Sequence, residues 1–75
     1  MDTAPQHLHR SLSQTLIEIE HQILIVHREA EVMHTEPSLI RDERGNFLLT
    51  PLLVGKAQVL HALTLLEMRS DDGLA

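Results

Sequence analysis

Apolar residues set the rhythm of the first half of the chain. Leu12, Leu16, Ile19, Ile23, Val26, Ala30 and Met33 recur at alternating spacings of four and three. That is an a/d seam held for about three heptads, the signature of an amphipathic helix that packs along its whole length. Asp2 or Thr3 supplies a start signal, and Pro5 is tolerated in a first turn. The pattern predicts a helix over residues 4 to 35, about 45 Å long at 1.5 Å per residue. Ile17 and Leu24 lie to one side of the seam, and Ile25 and Val32 lie nearly opposite it. Four aliphatics outside the seam imply a second contact surface.

The second periodic stretch, Thr50 to Met68, is apolar almost all the way round. Thr50 can cap and Pro51 suits a first helical position, so a helix is expected over 51–69. One stripe is Leu52, Val59, Leu63 and Leu66. A second is Val54, Ala57, Leu65 and Met68, interrupted by His61, with Leu53 and Leu60 between the two. A helix apolar on most of its circumference must be covered on most of it. The first helix can cover one stripe, which leaves Leu52, Val59, Leu63, Leu66 and His61, with Ile17 and Leu24, as the expected interface residues. Gly55, in the first half of this helix, either admits a close approach or is simply tolerated at a cost of roughly 1 kcal/mol.

Between the helices, Glu36-Pro37 is a stop, because the residue before proline is pushed out of the α region. Leu39 to Arg41 and Asn46 to Leu48 then flank a polar centre. Asp42-Glu43-Arg44-Gly45 fits a type I turn with a left-handed glycine, the usual three-residue hairpin connection. A short β-hairpin is expected here, or an irregular loop whose apolar residues cover the end of the helix pair. Residues 1–3 and 70–75 are expected to fray. The architecture is therefore mainly α: one domain over residues 1–75, an antiparallel helical hairpin that dimerises into a four-helix bundle.

Composition sharpens this reading. Seventy-five residues, with no cysteine and a single aromatic residue, Phe47, leave oligomerisation as the natural way to stabilise a small aliphatic core. A homodimer is expected, with a larger protein as a further partner. Eleven acidic residues outnumber six Lys and Arg, for a net charge of −5, which argues against a phosphate-binding footprint. No run approaches ~18 uninterrupted apolar residues and no basic leader precedes an apolar one, so the expectation is a cytoplasmic protein without a membrane span.

Six histidines are the chemically suggestive feature. Glu20, His27, Glu31 and His34 fall on one border of the first seam, and Glu31 to His34 has the Glu-x-x-His spacing of carboxylate-rich metal bundles. A hairpin closing near Thr35 and Thr50 would bring His61 opposite Leu24, between the turns of Glu20 and His27. That set of imidazoles and carboxylates would suit zinc, iron or manganese, a metal-binding bundle being the alternative function. The first expectation needs no cofactor: a non-enzymatic interaction protein, since no serine sits in a nucleophile elbow and the glycines are isolated. The alternating charges Arg41, Asp42, Glu43 and Arg44 form the candidate recognition tip.

Overall fold

The computed structural model describes the backbone of residues 4–74 and the side chains of residues 6–68. Two helices, α1 (Ala4–Met33) and α2 (Leu49–Leu74), run side by side, joined by a 3₁₀ turn at Pro37–Leu39 and a tight turn beyond it. The molecule measures 51 × 21 × 21 Å. The helical hairpin expected from the pattern is thus the fold.

The seam of α1 faces α2 as its spacing demands. Val26 and Ala30 are buried, and Leu12, Leu16, Ile19 and Ile23 are half-buried; Met33, at the helix end, is exposed. The helix stops two residues short of the expected boundary. His34 takes a left-handed conformation, φ 55. Its N–H donates to the Glu31 carbonyl (3.3 Å), and the Thr35 N–H donates to the Ala30 carbonyl (3.0 Å). This is a Schellman cap, which satisfies carbonyls the helix end would otherwise leave open. Pro37 begins the 3₁₀ turn rather than ending the helix. Glu36 before it is extended, as its proline neighbour requires (φ −79, ψ 143).

The linker does more than connect. Ile40 and Leu49 are buried with Val26 and Ala30 in one cluster, against which Ile23, Leu48 and Leu52 pack. The expected hairpin of Leu39–Arg41 on Asn46–Leu48 shrinks to a single antiparallel bridge, Arg41 to Phe47. Leu39 is taken up by the 3₁₀ turn and Leu49 already starts α2, so only Ile40 and Leu48 lie beyond the bridge, the Leu48 N–H donating to the Ile40 carbonyl at 3.1 Å. The turn itself has the expected chemistry: Gly45 is left-handed (φ 86) and its N–H donates to the Asp42 carbonyl at 3.0 Å.

α2 begins at Leu49, so Thr50 and Pro51 lie inside its first turn, and it continues through the expected tail to Leu74. The linker folds back along the last turns of α1, which slides α2 along its partner. Gly55 lies against Ile19, whose Cδ1 is 3.6 Å from where a glycine Cβ would stand. His9 Nε2 and Glu67 Oε1 are 3.7 Å apart. Compared with a hairpin closing at Thr35 and Thr50, α2 is displaced by about ten residues, roughly 15 Å. His61 therefore lies near the level of Gln14, not Leu24.

Candidate interaction surface

The register decides which residues can act together. Among Glu20, His27, Glu31, His34 and His61, the last is carried more than one turn from Glu20 and three or more from the others, and His34 lies beyond the end of α1 at its cap. No group of three or more His, Asp or Glu side chains is placed to hold a metal ion among the described residues. The expected ligand set is not assembled, because it depended on a symmetric closure that the folded-back linker prevents.

The expected interface residues divide between two environments. Leu63 is buried, and Leu52, Val59 and Leu66 are half-buried, together with the small residues Gly55 and Ala62. This stripe of α2 is the one turned into the hairpin, and α1 covers it. Ile17, Leu24 and His61 are exposed. So are Leu53, Val54, Leu60, Leu65 and Met68, none of which belonged to the expected set. Their signal was present, since they form the other half of an all-round apolar helix. Which half faced α1 was not decidable from periodicity alone.

Among the described residues thirteen large apolar side chains are exposed, against four large buried ones and Ala30. They fall into separable areas. Leu53 and Leu60 directly follow the inward residues Leu52 and Val59; Ile17 and Leu24 directly follow the inward residues Leu16 and Ile23. One step along an α-helix turns the side chain about 100° in the right-handed sense. An antiparallel pair is related by an approximate two-fold perpendicular to its plane, so the same step takes both helices to the same flank. These four therefore share one side of the hairpin. Val54, His61, Leu65 and Met68 line the back of α2. On the outside of α1, Ile25, Val32 and Met33 line a shallow apolar depression together with Arg28 and Glu29.

The tip is ordered by its own hydrogen bonds. Asp42 Oδ1 accepts from the Arg44 N–H and from the Asn46 N–H, both at 2.9 Å. The Asn46 N–H is the main reason the Asp42 carboxyl is held below its ordinary value; it opposes a cost of desolvation, and the Arg44 N–H adds a smaller lowering. The Arg41 guanidinium sits over the Phe47 ring, 4.5 Å from its centroid. Arg41 and Asp42 are thus partly committed within the turn, while Glu43 and Arg44 extend into solvent.

One further property of α2 bears on partners. Over Leu49–Met68 it is long and apolar enough to cross a membrane, with a mean hydropathy of 1.4 and only 11% of its most apolar window buried. Gly55, Lys56, Gln58 and His61 interrupt the run without cancelling it. No family model matches the chain, and neither the curated proteins nor the solved structures compared with it give a match.

Proposed function

We propose that this chain is a small, non-enzymatic interaction protein that associates with itself and binds a larger protein. Its working form is a homodimer, a four-helix bundle. The observation that carries the reading is surface area. A folded monomer of this mass exposes about 4,650 Å², whereas this chain exposes 6121 Å². The excess, about 1,500 Å² per copy, becomes roughly 3,000 Å² across two copies, within the range of obligate dimers. The turn at Arg41, Asp42, Glu43 and Arg44 stays clear of such a contact and is the part offered to the larger partner.

Sedimentation equilibrium on the untagged chain tests the reading. A dimer mass at micromolar concentration is expected. A stable, cooperatively folded monomer at that concentration would sink it. The hydropathy of α2 favours a second reading, insertion of that helix into a bilayer. Two features speak for the dimer instead. Lys56 is half-buried in the hairpin, and α1, which packs along α2, carries Arg10, Glu18, Glu20, Arg28, Glu29 and Glu31, all exposed. The net charge of −5 also opposes approach to an anionic membrane surface. Flotation with liposomes separates the two readings, since a soluble dimer stays at the bottom of the gradient.

A further inference from the structure

The flank that carries Ile17, Leu24, Leu53 and Leu60 has an order that goes beyond being apolar. On α1 the residues that directly follow inward positions are Ser13, Ile17, Glu20 and Leu24. On α2 they are Leu53, Lys56, Leu60 and Thr64, which follow Leu52, Gly55, Val59 and Leu63. The register set by the Ile19–Gly55 and His9–Glu67 contacts puts these residues at common levels. Leu24 is level with Leu53, Glu20 with Lys56, Ile17 with Leu60, and Ser13 with Thr64. Each level holds a like pair: apolar, oppositely charged, apolar, hydroxyl. Taken from the Ser13–Thr64 level toward the linker, the spacing is four, three and four on α1 and four, four and three on α2.

We propose that a second copy of this chain docks on this flank, related by a two-fold axis parallel to the helices. The proposal rests on the self-association argued above and specifies its geometry. Such an axis preserves level and stacks α1 of each copy on α2 of the other. Leu60 then meets Ile17 across the interface, Leu53 meets Leu24, Lys56 meets Glu20 and Thr64 meets Ser13. Every contact is isologous, occurring twice, as two-fold symmetry requires. All neighbouring helices run antiparallel, the arrangement of an up-down-up-down bundle.

Charge selects this axis over its rival. A two-fold across the helices, centred on the same flank, would set Lys56 against Leu60 and Glu20 against Ile17. Burying a charge on an apolar side chain is costly unless an opposite charge meets it. Only the axis along the helices supplies that partner from the other copy. Among the described residues of the hairpin, Lys56 has no ion-pair partner, although Glu20 stands at its level. The exposed fractions leave room for the contact: Ile17 62%, Leu24 47%, Leu53 49% and Leu60 43%.

The chain has no cysteine, so single introduced cysteines report contacts without interference. Ile17→Cys and Leu60→Cys proteins are prepared separately, mixed, allowed to exchange subunits and oxidised, with Val32→Cys as the control on the outside of α1. A 17–60 disulfide between chains, in clear excess over 17–17, 60–60 and any product with position 32, is expected. If untreated protein has a dimer mass but the 17–60 product does not form, the docking geometry is wrong while self-association stands. If untreated protein is a monomer, both fail. Charge gives an independent readout. Glu20→Lys and Lys56→Glu should each weaken the dimer at least tenfold, and mixing the two should restore it, because each charge then meets its opposite on the other chain. A mixture that stays monomeric while wild type is dimeric overturns the proposal, as does wild type that floats with liposomes.

Discussion

His34 ends α1 in a backbone conformation that costs an ordinary residue about 1–2 kcal/mol. Its φ of 55 is the one positive value among the described non-glycine residues. The side chain is exposed, so nothing else holds it there. Glycine adopts this conformation without the penalty, offset in part by its greater freedom when unfolded. His34→Gly should raise stability by roughly 0.5–1 kcal/mol, seen as a higher urea midpoint at unchanged slope. Asp42 makes the second residue-scale prediction. Hydrogen bonds from Asn46 and Arg44 lower its folded-state pKa below the ordinary 3.8. A lowered carboxylate contributes stability that is present above the unfolded value and lost as pH falls through the folded one. Wild type should therefore lose more stability than Asp42→Asn between about pH 5 and pH 2.5, with a carboxyl titration midpoint below the ordinary value by NMR. The two residues differ in how readable they were. Asp42 and Gly45 stand at the first and last positions of a turn pattern whose mechanism is local. His34 carries no such mark, since a left-handed cap is ordinarily glycine or asparagine, and only the folded chain assigns it.

The helices show the same division between what periodicity states and what packing decides. α1 was legible because its seam alternates four and three without a break. The stop near Pro37 was legible to within a few residues, the boundary having moved to the Schellman cap. The inward face of α2 was not legible, because an all-round apolar helix offers no contrast to read. The weak signal lay in its small residues: Gly55 and Ala62 sit along the stripe that turns inward, where a neighbouring helix comes close. Register was hidden for a different reason. It depends on Ile40 and Leu49 burying themselves on Val26 and Ala30, a contact between segments that local pattern cannot rank. Two substitutions separate these roles. A Cβ at Gly55 would meet Ile19 at an ordinary 3.6 Å. Gly55→Ala should therefore stabilise by about 0.5–1 kcal/mol through helix propensity alone. Ile40 is 4% exposed within the linker, and Ile40→Ala should cost about 2–3 kcal/mol because it removes the clamp between the helix ends. Thermal and urea denaturation of the two variants at one protein concentration should move them in opposite directions.

For the whole molecule the governing fact is the scarcity of burial. A folded chain of this size removes only roughly 60% of its unfolded surface from water, which leaves its stability marginal. Stability that comes from a partner copy depends on concentration. A hundredfold increase in protein should stabilise the dimer by about 2.7 kcal/mol, and its melting temperature should climb accordingly. A melting temperature indifferent to concentration would mean that the exposed stripes are not used for self-association. The composition had pointed this way, but the magnitude of the excess and the side on which it lies came only with the register. What burial there is gathers at one end. Val26, Ala30, Ile40 and Leu49 lie together beside the linker, and farther along the hairpin Leu63 is the one other buried side chain among the described residues. The molecule is thus a zipper locked at its closed end. Opening should begin at the free ends of the helices and travel inward, so amide exchange should slow progressively toward Ala30 and Leu52. A partner copy laid along the flank would flatten that gradient, holding shut the half that the hairpin itself secures least.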